Sequence, residues 1–322
     1  MLSTSSFVCQ IRWFSSKTSN ILSKNIVFQT HNGRNIQLNA VYEDSLPNGP
    51  STGTVVAFHG APGSHKDFKY IREKLDQMSI RFIGVNYPGF KQTDGYKGQR
   101  FMNEERQNYS NALLDELDLK GKIIYMGHSR GAENALMTAT TRKSHGLVMI
   151  NPLGLRTHKG SRPEGYLDTV SYIHAKLPKA IGDTILYKVY KAIGFKVQDG
   201  KEAINSVRAI MESAIEKQLV FIEKLNELKT TSSFLLFGGR DHLIEDEIIF
   251  EALESYDGLK HFSYDNDINT DEQKKIMQSF KTEKGASVFV RNDNHFQNKK
   301  RADLVASAVG AILAKPLTQS AA

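Results

Sequence analysis

Apolar positions recur along the chain with two different periods, and the period predicts the element. From residue 25, two β-rich runs, Asn25 to Thr30 and Asn35 to Tyr42, predict a leading hairpin, with HNGRN supplying the turn. Thr54-Val55-Val56-Ala57-Phe58 is a short apolar run, as a strand buried on both faces should be. It is followed by HKDFKYIREKLDQM, in which Phe68, Ile71 and Leu75 share one helical face. Phe82 to Val85, Ile123 to Met126, Leu147 to Ile150 and Phe234 to Phe237 repeat the strand pattern. A last run, Ser287 to Val290, precedes a closing helix with Leu304, Val305, Ala308 and Ile312 in register. Strands separated by helices imply an α/β fold, a mostly parallel sheet with helices on both faces.

One region breaks the alternation. Residues 153–230 are helical in pattern and contain no strand run, with Ile204, Val207, Met211, Ala214, Phe221, Ile222, Leu225 and Leu228 at helical spacing. Upstream, Tyr172, Tyr187 and Tyr190 sit among apolar residues, lysines and glycines. An all-helical insert between two sheet strands predicts a cap; extra helices packed on the sheet are the alternative. The chain therefore divides into a leader (1–24), a first core part (25–152), the cap (153–230) and a second core part (231–322).

Charge changes the picture only at the amino terminus. The formal net charge is +7, yet residues 1–42 hold Arg12, Lys17, Lys24 and Arg34 and no acid. Setting those four aside leaves 38 basic against 35 acidic residues, which gives no reason to expect a nucleic-acid partner. The Ser/Thr-rich, arginine-containing, acid-free start MLSTSSFVCQIRWFSSKTSN has the composition of a mitochondrial transit peptide. Arg12-Trp13-Phe14-Ser15 resembles the cleavage sites of matrix-processed precursors, so a mitochondrial matrix location is expected. A Ser-rich tail on a cytoplasmic protein is the alternative. Cys9 is the only cysteine, and the rest of the chain can form no disulfide and offers no thiolate. No apolar stretch approaches the roughly 20 residues of a spanning helix, so no transmembrane segment is expected.

The chemistry concentrates where strand Ile123-Ile124-Tyr125-Met126 runs into Gly127-His128-Ser129-Arg130-Gly131 and a helix opens at Ala132. This is G-x-S-x-G in the strand, tight turn, helix context that gives it meaning. Four other segments follow strands: His59-Gly60-Ala61-Pro62-Gly63-Ser64, Asn86-Tyr87-Pro88-Gly89-Phe90, Gly238-Gly239-Arg240-Asp241 and Asn292-Asp293-Asn294-His295-Phe296. On these motifs the chain, from about residue 25 to its carboxyl terminus, resembles the α/β hydrolases that carry a helical cap. The resemblance implies an oxyanion loop at residues 59–64, a nucleophile elbow at 127–131, an acid at Asp241 and a base at His295. The order Ser129, Asp241, His295 is that family's order. It further implies that the backbone N–H groups of Ala61 and Arg130 form the oxyanion hole.

The residue chemistry agrees. A serine hydroxyl becomes an effective nucleophile when a base takes its proton, a role open to His295, and Asp241 can hold that imidazole in one tautomer. Asp293 is the alternative acid, and His242 also neighbours the set; Asp241 follows the strand that the order requires. His59 is expected to be structural. HGxPGS loops also occur in haloalkane dehalogenases and epoxide hydrolases, but those place an aspartate where this chain has Ser129, which points to acyl transfer. Arg130 stands where a small or apolar residue is usual. It could bind an anionic substrate group, or pair with Glu133 or with acids of the cap. Asp265-Asn266-Asp267-Ile268-Asn269 imitates a calcium loop but lacks its glycine and glutamate; Thr270 with Gln273 reads instead as a capping box. No H-E-x-x-H, P-loop or dinucleotide fingerprint occurs, so neither metal nor cofactor is expected.

Two functions remain. One is a serine hydrolase acting on a small-molecule ester, thioester or related acyl substrate, with Tyr172, Tyr187 and Tyr190 of the cap as candidate substrate contacts. The other is a non-catalytic protein of the same fold that binds a ligand or partner through its cap.

Overall fold

The computed structural model of the protein describes residues 20–46 and 51–316. Strands β1 (Asn20–Gln29) and β2 (Asn35–Asp44) form the leading hairpin, in register from Asn20↔Asp44 to Gln29↔Asn35. β1 begins five residues before the expected Asn25, because its first half is an exposed edge with little apolar signal. The expected targeting segment thus overlaps the sheet at Asn20–Lys24, and its remainder lies outside the described residues. The other strands are β3 (Thr54–Phe58), β4 (Arg81–Val85), β5 (Ile123–His128), β6 (Gly146–Ile150), β7 (Ser232–Gly238), β8 (Leu259–Tyr264) and β9 (Gly285–Val290). All nine join one sheet in the order β1-β2-β4-β3-β5-β6-β7-β9-β8, antiparallel at β1/β2 and β2/β4 and parallel elsewhere. No apolar run in the sequence corresponds to β8. It is the far edge, exposed at Lys260, His261 and Ser263 and only partly buried elsewhere, and so carries no such run.

Helices cover both faces, and each central strand alternates between them. The helices are α1 (Lys69–Gln77), α2 (Asn103–Leu117), α3 (Gly131–Thr141), α4 (Tyr166–Lys176), α5 (Lys179–Ala192), α6 (Gly200–Met211) and α7 (Gln218–Glu227). After β7 come α8 (Asp246–Leu253), α9 (Thr270–Thr282), α10 (Gln297–Lys300) and α11 (Ala302–Ala314). Val56, Tyr125, Met149 and Leu235 face α2, α3 and α8; Val55, Ile124, Val148 and Phe234 face α1, α9 and α11. Burial on both sides is why these strands read as unbroken apolar runs. The cap of three helices, α4 to α6, has a small core of its own around Leu167, Leu186, Tyr190, Ile204 and Val207. α7 belongs elsewhere: its Ile222 and Leu225 pack into the main core. The cap proper is therefore shorter than the expected 153–230. At α9 the capping box is formed by Asn269 with Glu272, one residue ahead of Thr270 and Gln273, because Asn269 supplies the side-chain acceptor at the helix start.

The close packing that positions Ser129 lies between β5 and α3. A Cβ on Gly131 would sit 2.0 Å from the Phe58 carbonyl oxygen, and one on Gly127 would sit 2.5 Å from the Ala132 Cα. Only glycine at both positions lets the helix start so near the sheet.

Candidate active site

Ser129 occupies the turn between β5 and α3 at φ +53°, a left-handed conformation that a non-glycine residue adopts only when its surroundings impose it. Here the restraints are backbone hydrogen bonds. Ser129 N–H donates to the Ile150 carbonyl at 2.9 Å, and Ser129's carbonyl accepts from Ala132 N–H at 2.9 Å. The side chain sits beside the 59–64 loop: a Cβ on Gly60 would lie 3.2 Å from Ser129 Cβ.

The acid and the histidine come from neighbouring strand ends, after β7 and β9. Their loops are tied by backbone bonds, Gly239 N–H to the Val290 carbonyl at 3.0 Å and Arg240 N–H to the Asp293 carbonyl at 2.8 Å. Across this junction His295 Nδ1 donates to Asp241 Oδ2 at 2.6 Å, and both side chains are buried. Asp241 also accepts from Leu243 N–H at 2.8 Å, Ile244 N–H at 3.2 Å and Asn151 Nδ2 at 3.1 Å. Burial pushes its carboxyl up, but the His295 hydrogen bond and charge and these other donors outweigh it and hold the group below the usual carboxylate range. With Nδ1 committed to Asp241, the lone pair of His295 is at Nε2. Asp293, the alternative acid, is spoken for: it accepts from Arg301 Nε at 2.6 Å and from Gln297 Nε2 at 3.0 Å.

Ser129 and His295 line one cavity of about 340 Å³ together with Ala61 and Arg130. Among the described residues no hydrogen bond joins Ser129 Oγ to the imidazole, the loose arrangement common before substrate binds. The backbone N–H groups of Ala61 and Arg130 have no protein acceptor among the described residues. The remaining walls are almost wholly apolar, from Leu153, Leu243 and Phe296 of the core to Ile173, Ile185, Val189 and Tyr190 of the cap. Of the three expected tyrosines only Tyr190 contributes. Tyr172 is 64% exposed on the outer side of α4, and Tyr187 packs against the cap core outside the cavity; Tyr166 lines it instead.

Three further histidines line the cavity: His128, His158 and, on the cap, His174, whose Nε2 bonds Asp183 Oδ1 at 2.8 Å. His128 Nε2 donates to the His295 carbonyl at 2.9 Å, which steadies the histidine loop. Burial, reinforced by the neighbouring His295, pushes its pKa down to about 3, so it stays neutral. His158 donates through Nδ1 to the Leu243 carbonyl at 3.0 Å. Sequence reasoning missed His158 because a lone histidine in an irregular segment carries no pattern. His59 is structural, as expected: it is buried, donates from Nδ1 to the Gly60 carbonyl at 2.7 Å and accepts from Tyr87 N–H at 3.1 Å. Arg106, also missed, donates to the His59 carbonyl at 2.9 Å while its guanidinium lies 3.7 Å over the Tyr87 ring. Among the described residues no group of three or more histidine, cysteine, aspartate or glutamate side chains is arranged to hold a metal ion.

Arg130 resolves between its two expected roles. Its guanidinium is 1% exposed and pairs with Glu133 and Asn103, while Nε donates to the Ala209 carbonyl at 2.9 Å and Nη2 to the Glu212 carbonyl at 3.1 Å. Glu133 is equally buried and also accepts from Asn103 Nδ2 at 2.8 Å and Gln218 Nε2 at 3.0 Å. The guanidinium thus joins the elbow to the end of α6 and offers no free cation to a ligand.

A nine-stranded, mostly parallel sheet bearing a serine elbow, a late acid, a final histidine and an inserted cap defines an α/β hydrolase. The chain belongs to the family described as alpha/beta hydrolase of unknown function (DUF1057), whose model matches residues 18–314. The uncharacterized protein F35H12.5 of Caenorhabditis elegans is 30% identical over 315 residues, covering 91% of this chain and 87% of that one. Among solved structures, a thermophilic esterase from Thermogutta terrifontis is similar at a TM-score of 0.61 and 16% identity, covering 90% of this chain and 97% of its own. Haloalkane dehalogenase DpaA from Paraglaciecola agarilytica NO2 gives 0.60 at 14% identity, covering 92% and 93%. A thioesterase domain from the curacin biosynthetic pathway gives 0.55 at 15% identity, covering 89% and 98%. At these identities the likeness concerns the fold.

The buried pair yields a direct test. Glu133→Ala leaves a guanidinium in the interior without its carboxylate and is expected to cost about 3–5 kcal/mol, read by urea unfolding. Replacing both partners, Arg130→Met with Glu133→Leu, is expected to recover most of that loss. A loss below about 1 kcal/mol for Glu133→Ala would show that the pair does not anchor the elbow.

Proposed function

We propose that the protein is a serine hydrolase acting on a small, apolar acyl ester or thioester. The observation that carries this reading is convergence on one cavity: a serine at positive φ, and an imidazole held by a buried carboxylate. In the proposed reaction Ser129 Oγ attacks the substrate carbonyl carbon while His295 Nε2 takes the hydroxyl proton. The oxyanion that forms is held by the backbone N–H groups of Ala61 and Arg130. His295 then gives its proton to the leaving alcohol or thiol, and an acyl-serine remains. Water, deprotonated in turn by His295, releases the acid and restores the serine. Asp241 keeps Nδ1–H oriented and stabilises the imidazolium formed in both halves. The apolar walls favour an uncharged acyl group and exclude water from the oxyanion contacts.

A fluorophosphonate probe tests the reading. Wild-type protein is expected to be labelled, Ser129→Ala not at all, and His295→Ala at a rate reduced by about three orders of magnitude or more. Folded wild-type protein that resists both the probe and short p-nitrophenyl esters would favour a non-catalytic ligand binder.

Selectivity for the acyl chain is expected to depend on Tyr190. Tyr190→Ala should change the octanoyl-to-acetyl ratio of kcat/KM by about 1–3 kcal/mol, whereas Tyr172→Ala and Tyr187→Ala should leave it unchanged. Equal losses on all chain lengths for Tyr190→Ala would mean that it supports the catalytic geometry and not the acyl site.

As part of the same reading we propose that the enzyme is directed to the mitochondrial matrix, on the composition of the leader, residues 1–24. A carboxyl-terminal fluorescent fusion is expected in mitochondria, and Arg12→Gln with Lys17→Gln should impair its import. A cytosolic product that retains Met1 would overturn the assignment.

A further inference from the structure

Large apolar side chains exposed to solvent are unevenly placed. Of the fifteen among the described residues, seven fall between Tyr166 and Ile193, on the α4–α5 hairpin of the cap. Elsewhere they occur singly or in pairs, as on ordinary surfaces. Along α5 the residues Ile181, Ile185, Val189 and Ile193 recur every four positions and form one stripe, each about half exposed. Three of them, Ile185, Val189 and Ile193, are at the same time walls of the Ser129 cavity, as is Ile173 of α4. The apolar surface outside is therefore continuous with the apolar surface inside.

Its border is basic. Lys176, Lys179, Lys188, Lys191 and Lys196 are all exposed, against Asp168 and Asp183 in the same stretch. Asp183 is engaged by Lys179 and His174. Lys176 and Lys191 lie over the rings of Tyr172 and Tyr187, and among the described residues no carboxylate pairs with Lys176, Lys188, Lys191 or Lys196. An apolar stripe edged by lysines is the arrangement that settles into an anionic lipid surface, with the stripe in the acyl boundary and the ammonium groups at the headgroups. The alternative occupant, a second copy of the chain, fits less well, because a two-fold contact through this face brings its lysines against their own counterparts.

We propose that the α4–α5 face docks on an anionic bilayer and that docking sets the mouth of the Ser129 cavity against the membrane. Docking needs no catalysis. Delivery of a membrane-dissolved acyl substrate to Ser129 rests on the serine-hydrolase reading above.

The test is flotation of the full chain with vesicles of phosphatidylcholine, alone or mixed with phosphatidylglycerol. Wild-type protein is expected to float with the mixed vesicles and more weakly with the neutral ones. Each lysine near an anionic surface contributes about fivefold to partitioning, so Lys188→Gln with Lys191→Gln should lower binding to mixed vesicles about 25-fold and leave neutral vesicles unaffected. Ile181→Asp should lower binding to both by about tenfold or more. None of these side chains lines the cavity, so fluorophosphonate labelling and hydrolysis of a soluble butyryl ester should be unchanged in every variant. That readout separates failure of docking from failure of the hydrolase reading. Wild-type protein that floats with neither vesicle, or variants that float as well as wild type, would overturn the proposal. So would a wild-type dimer, seen by sedimentation, that Ile181→Asp dissociates, since a second copy would then cover the face.

Discussion

Everything at the candidate site depends on how closely the start of α3 approaches the carboxyl end of β3. The Phe58 carbonyl stands where a Cβ of residue 131 would be, so the helix can begin there only because that residue is glycine. The approach forces the intervening turn into a left-handed bend at Ser129 and sets the serine against the Gly60–Ala61 segment. The cost of that bend, of order 1–3 kcal/mol, is met by the backbone bonds to Ile150 and Ala132 and by the packed sheet beneath. A one-residue shift of β5 against β6 would lose the bond to Ile150 and turn the serine to the other face.

Around this point the structure arranges polar groups in depth. Arg106 supports the 59–64 loop through the His59 carbonyl, His128 supports the histidine loop, and Arg130 with Glu133 closes the elbow from the other side. Nearly every member is buried, and each acts on backbone carbonyls or on another buried polar group. Such groups are expensive to enclose one at a time and become tolerable when they satisfy one another. The mostly apolar cavity is thus backed by buried polar groups, of which His128 and Arg130 reach its wall.

How much of this was legible follows from where each signal originates. The six inner strands with parallel neighbours were readable because burial on both faces leaves apolar runs, and Ser129 because glycines bracket it between a strand and a helix. Asp241 was separable from Asp293 by strand order alone, and the bonds to Arg301 and Gln297 show the physical basis of the distinction. β8 and the first half of β1 were not readable, since an edge strand needs no apolar alternation on its open side. Tyr172, Tyr187 and Tyr190 could not be ranked: residue type says that a tyrosine can line a cavity, while helical phase and the tilt of each cap helix decide which one does. Arg106 and His158 act through single carbonyls distant in sequence, and such contacts leave no pattern along the chain.

The fastening of Arg130 to the Ala209 and Glu212 carbonyls makes the cap mechanically asymmetric. Lifting its α6 end strips acceptors from a guanidinium that has no water to replace them, a penalty of several kcal/mol. Among the described residues no buried charge ties the α4–α5 hairpin in the same way; it rests on α6 through apolar contacts of Leu167, Leu186 and Tyr190 and through the close approach of Gly200 to the Asp183 carbonyl. The cap is thus held at its α6 end by buried hydrogen bonds and along the α4–α5 margin by apolar packing. Displacing the margin that carries the apolar stripe would therefore reshape the cavity walls at Ile173, Ile185 and Val189 without unseating Arg130.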